Sequence, residues 1–166
     1  MNIPSPKRAS TFFLKTVLIF IGCIALALCV FSLPNVWIGA AREWPMISAR
    51  LLYPGLIGIY ATIIPFLLAL YQAFRLLRLI DRHNAFSKSS IDALRNISFC
   101  AVAMTLLYFL AMPLVVSVAD SDDAPGLVLI SFAFACAPLV IATFAAVLQK
   151  LVRNALDMKT ENDFTI

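Results

Sequence analysis

Four long uncharged stretches divide the chain. They are residues 16–41, 51–74, 96–119 and 124–149, and none contains Lys, Arg, Asp or Glu. Each exceeds the roughly 20 residues that a helix needs to cross about 30 Å of hydrocarbon. A helix of a soluble protein would keep one polar face, and none of the four stretches has one. The pattern therefore predicts membrane-spanning helices at about residues 14–34, 53–75, 96–119 and 126–149.

The predicted fold is all-α: a single domain of residues 1–166 that forms an integral membrane four-helix bundle from two helical hairpins. Residues 76–95 form the middle loop and residues 150–166 the tail. Apolar residues at helical spacing continue beyond Phe74 to Ile80, and Ser89 with Asp92 is typical of a capping box that opens the third helix. The fourth helix has no breaker after Pro138 and is predicted to run to Asp157 or Met158. Helices two, three and four should thus extend out of the membrane.

Prolines and glycines predict interruptions. The segment Leu33–Arg50 contains Pro34, Gly39 and Pro45 and is expected to be a broken amphipathic segment on the membrane surface. Inside the spans, each proline removes a backbone donor and bends its helix, and a structural kink is favoured over a moving hinge. The prolines concerned are Pro65, Pro113 and Pro138.

Composition supports lipid as the surroundings. Hydrophobic residues make up 62% of the chain and charged residues 13%, against about 45–50% and 25% in soluble domains. Lys7, Arg8 and Lys15 before an apolar run also resemble a secretory signal. That run is longer than the roughly 7–15 residues of a signal core, so we interpret it as a retained anchor. The scattered cysteines inside the spans are interpreted as packing residues: Cys23, Cys29, Cys100 and Cys136.

The basic residues predict the orientation. Eleven of the 13 Lys and Arg residues lie in the N-terminal segment, the middle loop and the tail. Only Arg42 and Arg50 lie on the other side, where the third loop carries acids alone. Because short loops rich in Lys and Arg stay in the cytoplasm, both termini are predicted to be cytoplasmic, in a multi-pass protein of the bacterial inner (cell) membrane.

Candidate chemistry is sparse. No ionisable side chain lies inside a predicted span, which argues against a proton relay or an intramembrane enzyme. His83 is the only histidine and is interpreted as a loop residue. Asp120, Asp122 and Asp123 could face a divalent cation but are interpreted as a solvated turn. Phosphate-binding and dinucleotide motifs are missing from the sequence. We expect no enzymatic activity, no cofactor, no metal and no direct contact with nucleic acid.

The middle loop and the tail carry a resemblance. Ala85-Phe86-Ser87, Ala93-Leu94-Arg95-Asn96-Ile97 and the ending Glu161-Asn162-Asp163-Phe164-Thr165-Ile166 are similar to patterns of the domain-of-unknown-function 2975 family of small bacterial four-span membrane proteins. Members commonly end in Glu-Asn-Asp-Leu-Thr-Ile or Val, with Phe164 here in place of Leu. Genes of the family often neighbour one for a small helix-turn-helix regulator. The resemblance implies a membrane partner that sequesters or signals to such a transcription factor.

The predicted partner-binding surface consists of the loop and tail residues. Phe164, Thr165 and Ile166 alternate as a short strand would, and such a segment can add to the edge of a sheet. Alternatively, the tail docks on its own loop, with Glu161 and Asp163 against the arginines. The residues are Arg75, Arg78, Arg82, Phe86, Ser87, Glu161, Asn162, Asp163, Phe164, Thr165 and Ile166.

Two further hypotheses stay open. The chain could handle lipids or small molecules, as an exporter subunit or an immunity factor. It would then hold a cavity lined by Tyr60, Thr62, Tyr108 and Ser131. It could also form a homo-oligomer through small residues such as Gly55 and Gly58, although their spacing is one residue short of Gly-x-x-x-Gly.

Overall fold

The described part of the chain folds into five α-helices. The computed structural model describes residues 6–43, 49–81 and 86–163. The helices are α1 (Pro6–Glu43), α2 (Ala49–Ala61), α3 (Ile63–Asp81), α4 (Lys88–Ser121) and α5 (Pro125–Asp163). These residues contain no strand, so the all-α prediction is confirmed for the described part of the chain.

Within the described residues, three segments are long and apolar enough to cross a membrane: Tyr53–Asp81, Lys88–Ser121 and Pro125–Glu161. Helix α1 contributes a shorter apolar stretch, Phe12–Leu28. Large apolar side chains face outwards along all of them, as Phe99 (76% exposed) and Leu129 (73%) illustrate. Exposed apolar surface on this scale is unfavourable in water and favourable in hydrocarbon.

Helix α1 is longer than the sequence indicated. It continues through Pro34 and Gly39 to Glu43, so the prediction of a broken surface segment is wrong as far as Glu43. Residues 44–48 lie outside the described part. In a membrane, a helix persists through a proline because an interrupted backbone would leave polar groups without partners. Beside Pro34, the side-chain amide of Asn35 donates a hydrogen bond to the Phe31 carbonyl oxygen (2.8 Å).

The second predicted span is broken at Thr62, between α2 and α3. Pro65 has no N–H to reach the carbonyl of Ala61, and its ring crowds that carbonyl, so the helix is interrupted one turn before the proline. The Thr62 hydroxyl donates to the Ile59 carbonyl oxygen (2.6 Å) and supports the break. Pro113 and Pro138 lie within the unbroken α4 and α5.

Two helix ends differ from the prediction. Helix α4 starts at Lys88 because Ser87, not Ser89, is its N-cap: Ser87 is extended (φ −138°, ψ 159°) and its hydroxyl oxygen accepts from the Ser90 N–H (3.4 Å). Helix α5 ends at Asp163 rather than near Met158. The prediction of a helix end at Met158 is therefore wrong, and the predicted strand Phe164–Ile166 lies outside the described residues.

Helix α4 is the centre of the bundle. It packs against α5 on one side and against α2 and α3 on the other, whereas α1 packs on α3. The buried stripe of α5 consists of small or compact residues at helical spacing: Ala135, Pro138, Ala142 and Ala145. Opposite them, Ala101 and Met104 of α4 are buried against Ala142, with Tyr108 packed on the cluster. The Ser98 hydroxyl adds a hydrogen bond to the Ala142 carbonyl oxygen (3.0 Å). Small side chains let two membrane helices approach closely.

Candidate functional site at the charged end of the bundle

One end of the bundle collects charged residues from four helices. An ion pair joins Lys15 near the start of α1 to Asp81 at the end of α3. Lys88, the first residue of α4, lines a groove together with Arg153 of α5. The N-terminal part of α1, the end of α3, the start of α4 and the C-terminal part of α5 therefore lie together, and we call this region the charged end.

Two of the predicted arginines are exposed on α3. Arg75 and Arg78 both face outwards, and the guanidinium carbon of Arg78 lies 5.3 Å from the centroid of the Phe74 ring. A cation over an aromatic face is held in place while its N–H groups remain available to other partners. Arg82, the third arginine of the predicted partner-binding surface, is outside the described residues.

Phe86 and Ser87 have different roles. Phe86 is 59% exposed just before α4, so it presents an apolar side chain beside charged groups. Ser87 caps α4, and its hydroxyl lies 3.2 Å from the buried hydroxyl of Ser90. Capping of α4 accounts for a serine at this position, so a role in partner binding is not needed to explain it.

The tail residues Glu161, Asn162 and Asp163 form the last turn of α5. Glu161 is exposed. Phe164, Thr165 and Ile166 lie outside the described residues. Docking of the tail acids on the arginines therefore stays a prediction, as does binding of this surface to a partner.

The sequence analysis missed a groove between α4 and α5 at the charged end. Its volume is about 330 Å³, and it is lined by Lys88, Ile91, Asp92, Arg153, Leu156 and Asp157. The four charged side chains are exposed, and none takes part in an ion pair within the described part of the chain. The two segments lie far apart in sequence. In both segments, a basic residue is followed four residues later by an acidic one: Asp92 follows Lys88, and Asp157 follows Arg153.

A second groove is apolar and lies between α1 and α3. It has a volume of about 340 Å³ and is lined by Leu18, Ile19, Leu67, Leu70, Tyr71 and Phe74. None of the four residues predicted to line a cavity, Tyr60, Thr62, Tyr108 and Ser131, contributes to either groove. Thr62 is instead buried at the break between α2 and α3, and Tyr108 packs between α4 and α5.

The opposite end of the bundle is a short acidic turn. Asp123 adopts a left-handed backbone conformation (φ 50°), and the Ala124 N–H donates to the Ala119 carbonyl oxygen (2.9 Å). These features close the C-terminus of α4 as a Schellman-type turn. Among the described residues, no group of three or more His, Cys, Asp and Glu side chains could hold a metal ion, and Cys23, Cys100 and Cys136 are free thiols.

The two glycines that were suggested for contact between copies are covered by other residues of the same chain. Gly55 lies against Leu114 of α4. A Cβ atom added to Gly58 would lie 3.9 Å from the Cβ of Ala111. Both glycines are buried. They therefore serve the packing of α2 on α4.

Comparisons with known proteins give the family. Residues 36–166 match the family described as "Protein of unknown function (DUF2975)". The "Uncharacterized membrane protein YoaS" of Bacillus subtilis (strain 168) is 48% identical over 160 residues, which cover 96% of this chain and 99% of that protein. No solved structure matches the chain. Together with the long apolar helices and their outward-facing side chains, these matches show that the chain belongs to the DUF2975 family and is a membrane protein.

Proposed function

We propose that this chain is a non-enzymatic protein of the bacterial inner (cell) membrane that crosses the bilayer four times, keeps both termini in the cytoplasm, and binds a cytoplasmic regulator at its charged end. A small helix-turn-helix transcription factor is the partner that the family resemblance implies. By holding this factor at the membrane, the protein would control its access to DNA. The positive-inside rule supports the orientation, because the basic residues concentrate at that end.

The observation that carries the proposal is the length of α5. After the last uncharged residue, Gln149, the helix continues from Lys150 to Asp163, which corresponds to about 20 Å. The headgroup layer on each side of a bilayer is only about 5–8 Å thick. The final turns of α5 therefore extend into water and present the exposed Glu161 at the charged end.

The orientation can be tested separately from the partner. A fluorescent protein that matures only in the cytoplasm, fused after Ile166, should fluoresce, and a periplasmically active phosphatase fused at the same position should be inactive. The reverse result would overturn the proposed topology. A fusion in the turn at Asp122 provides the matched control and should behave in the opposite way.

Partner binding can be tested by co-expression with a small helix-turn-helix regulator of the kind that the family resemblance implies. The full chain in detergent should retain the regulator, and a chain that ends at Lys159 should lose it while remaining in the membrane. The control variant Asp120→Asn changes a charge at the opposite end and should retain the regulator. If removal of residues 160–166 left binding unchanged, the tail would not be part of the surface.

The second candidate function, handling of a lipid or small apolar molecule, is favoured by the groove between α1 and α3. Leu67→Trp would fill this groove, whereas Leu68→Trp adds the same side chain at a neighbouring position that is 52% exposed. A transport or immunity role predicts that only Leu67→Trp abolishes the activity. Equal effects of the two variants would exclude the groove as the site.

A further inference from the structure

The charged groove between α4 and α5 combines two cations, two anions and an apolar floor. Lys88 and Asp92 come from α4, Arg153 and Asp157 from α5. Ile91 and Leu156 form the floor and are half-buried. Among the described residues, these four side chains form no ion pair with one another.

The register of the two helices explains this. Phe109 of α4 meets Phe132 of α5, with ring centroids 5.9 Å apart. The same number of residues separates Phe109 from Lys88 and Phe132 from Arg153, and rise per residue is constant along a helix. Lys88 and Arg153 are therefore level with each other across the groove. The arrangement places two positive charges on either side of one gap, with Asp92 one turn towards the membrane and Asp157 one turn away from it.

Two cations facing each other across a gap favour an anion between them, and a phosphate group accepts hydrogen bonds from both Lys and Arg. Asp157, about 6 Å further out along the axis of α5, offers a carboxylate to a cation. A ligand with a phosphate and, farther out, an ammonium group satisfies both. The four side chains carry no net charge, so a ligand of zero net charge matches the groove better than an anion alone.

The position of the groove relative to the membrane is consistent with a bound lipid headgroup. Arg153 lies four residues beyond Gln149, which corresponds to about 6 Å below the uncharged run, within the headgroup layer. The phosphate of a phospholipid is nearer to the acyl chains than its terminal ammonium, in the same order as Arg153 and Asp157. On the membrane side, the exposed apolar side chain of Phe99 lies two turns from Asp92 on the same face of α4, where an acyl chain can run along it.

We propose that the groove of Lys88, Asp92, Arg153 and Asp157 binds the headgroup of phosphatidylethanolamine, with the phosphate between Lys88 and Arg153 and the primary ammonium at Asp157. Ile91, on the membrane side of Lys88, contacts the glycerol end of the lipid, and Leu156, between Arg153 and Asp157, contacts the carbons between the phosphate and the ammonium. The site is independent of the partner-binding role, since neither the tail after Asp163 nor the arginines of α3 take part in it.

Native mass spectrometry of the full chain in detergent, with added lipid, tests the proposal. The probes are phosphatidylethanolamine, phosphatidylcholine and phosphatidylglycerol of the same acyl chains. The wild type should retain phosphatidylethanolamine over both others. Lys88→Gln and Arg153→Gln should each lower its retention about fivefold. Asp157→Asn should remove the preference over phosphatidylcholine, whose quaternary ammonium cannot donate a hydrogen bond.

The matched control is Lys150→Gln, which removes the same charge from the same helix outside the groove. It should retain lipid as the wild type does, and circular dichroism should show equal helix content in all variants because the changed side chains are exposed. Equal retention of phosphatidylethanolamine and phosphatidylcholine by the wild type, or equal losses in Lys150→Gln and Arg153→Gln, would overturn the proposal. Full competition by glycerophosphoethanolamine at equal concentration would overturn the lipid as occupant in favour of a soluble phosphoamine.

Discussion

Helix α1 and the α4–α5 hairpin are alike in length and apolar character, but they are held in different ways. Helix α1 has 38 residues, α4 has 34 and α5 has 39. Ten residues of α4 are buried. Among the residues of α1 whose burial is described, Gly22 alone is buried. Insertion into a bilayer requires sufficient apolar length, which α4 and α5 have, whereas the apolar stretch described in α1, Phe12–Leu28, is shorter. Packing requires a matching surface, which α1 shares with α3 over a small area.

Small side chains account for the difference. The contacting faces of α4 and α5 are lined by alanines, of which Ala101 is fully buried and Ala135 is 2% exposed. Apolar side chains gain nothing from leaving lipid, so helices in a membrane associate through close van der Waals contact and hydrogen bonds. The outward faces of α1 carry large residues such as Phe13 (69% exposed) and Phe20 (64%), which suit lipid and keep other helices at a distance.

The largest effect is expected from overpacking the α4–α5 contact. Ala101→Phe inserts a ring where no space exists, and we expect it to lower the free energy of unfolding by about 3 kcal/mol or more. Val102→Phe adds a similar ring at the next position, which is 40% exposed, and should change stability by less than about 0.5 kcal/mol. Thermal unfolding in detergent measures both. Similar losses in the two variants would show that the contact is not closely packed.

A smaller effect on stability is expected when glycines are replaced by alanine. The effect should be larger in α2, which packs on α4, than in α1. A Cβ at Gly55 would lie 2.5 Å from Leu114 Cδ2 and 2.8 Å from its Cβ, which is fixed to the backbone of α4. Gly55→Ala therefore forces α2 and α4 apart, and we expect a loss of about 1–2 kcal/mol. At Gly22 of α1, the close atom is Leu70 Cδ2 at 2.5 Å, the end of a side chain that can rotate. Gly22→Ala should therefore be nearly neutral.

Gly58→Ala is the control in the same helix as Gly55. Its added methyl would lie 3.9 Å from Ala111 Cβ, at ordinary contact distance, and alanine is favoured over glycine in a helix by about 1 kcal/mol. This variant should be at least as stable as the wild type. A melting temperature that falls as far for Gly22→Ala as for Gly55→Ala would contradict the view that α1 is loosely held.

The sequence was sufficient to predict the membrane location and the extended helices, because uncharged length and helical periodicity depend on local composition. Local details were harder. Ser87 and Ser89 both lie within four residues of Ile91, the first apolar residue of α4, and only the backbone conformation of Ser87 decides which of them caps the helix. The break at Thr62 precedes its cause, Pro65, by one turn because a proline affects the carbonyl four residues before it. Pro34 has the same chemistry without ending α1.

The charged groove could not be predicted from sequence because it depends on the register of two helices. Lys88 and Arg153 are far apart in the chain and become level only when Phe109 meets Phe132. The predicted arginines, by contrast, are close in sequence, and Arg75 and Arg78 are both exposed on α3 as expected. Sites built from one segment can be predicted by periodicity, whereas sites built between segments require the packing.

The smallest effect concerns the ion pair that ties α1 to α3. Lys15 and Asp81 have side chains 23% and 31% exposed, so Lys15→Gln should cost only about 0.2–1 kcal/mol. Because α1 packs mainly on α3, the loss should be local: amide hydrogen exchange should accelerate at the start of α1 while α4 and α5 remain protected. Added salt should reduce the difference between wild type and variant, since it screens a partly exposed pair.

The exchanged pair Lys15→Asp with Asp81→Lys should restore much of the protection, and Lys150→Gln, which removes a positive charge elsewhere at the same end, should leave α1 unchanged. Faster exchange along α4 in Lys15→Gln would mean that α1 supports the whole bundle, contrary to the comparison drawn from its packing.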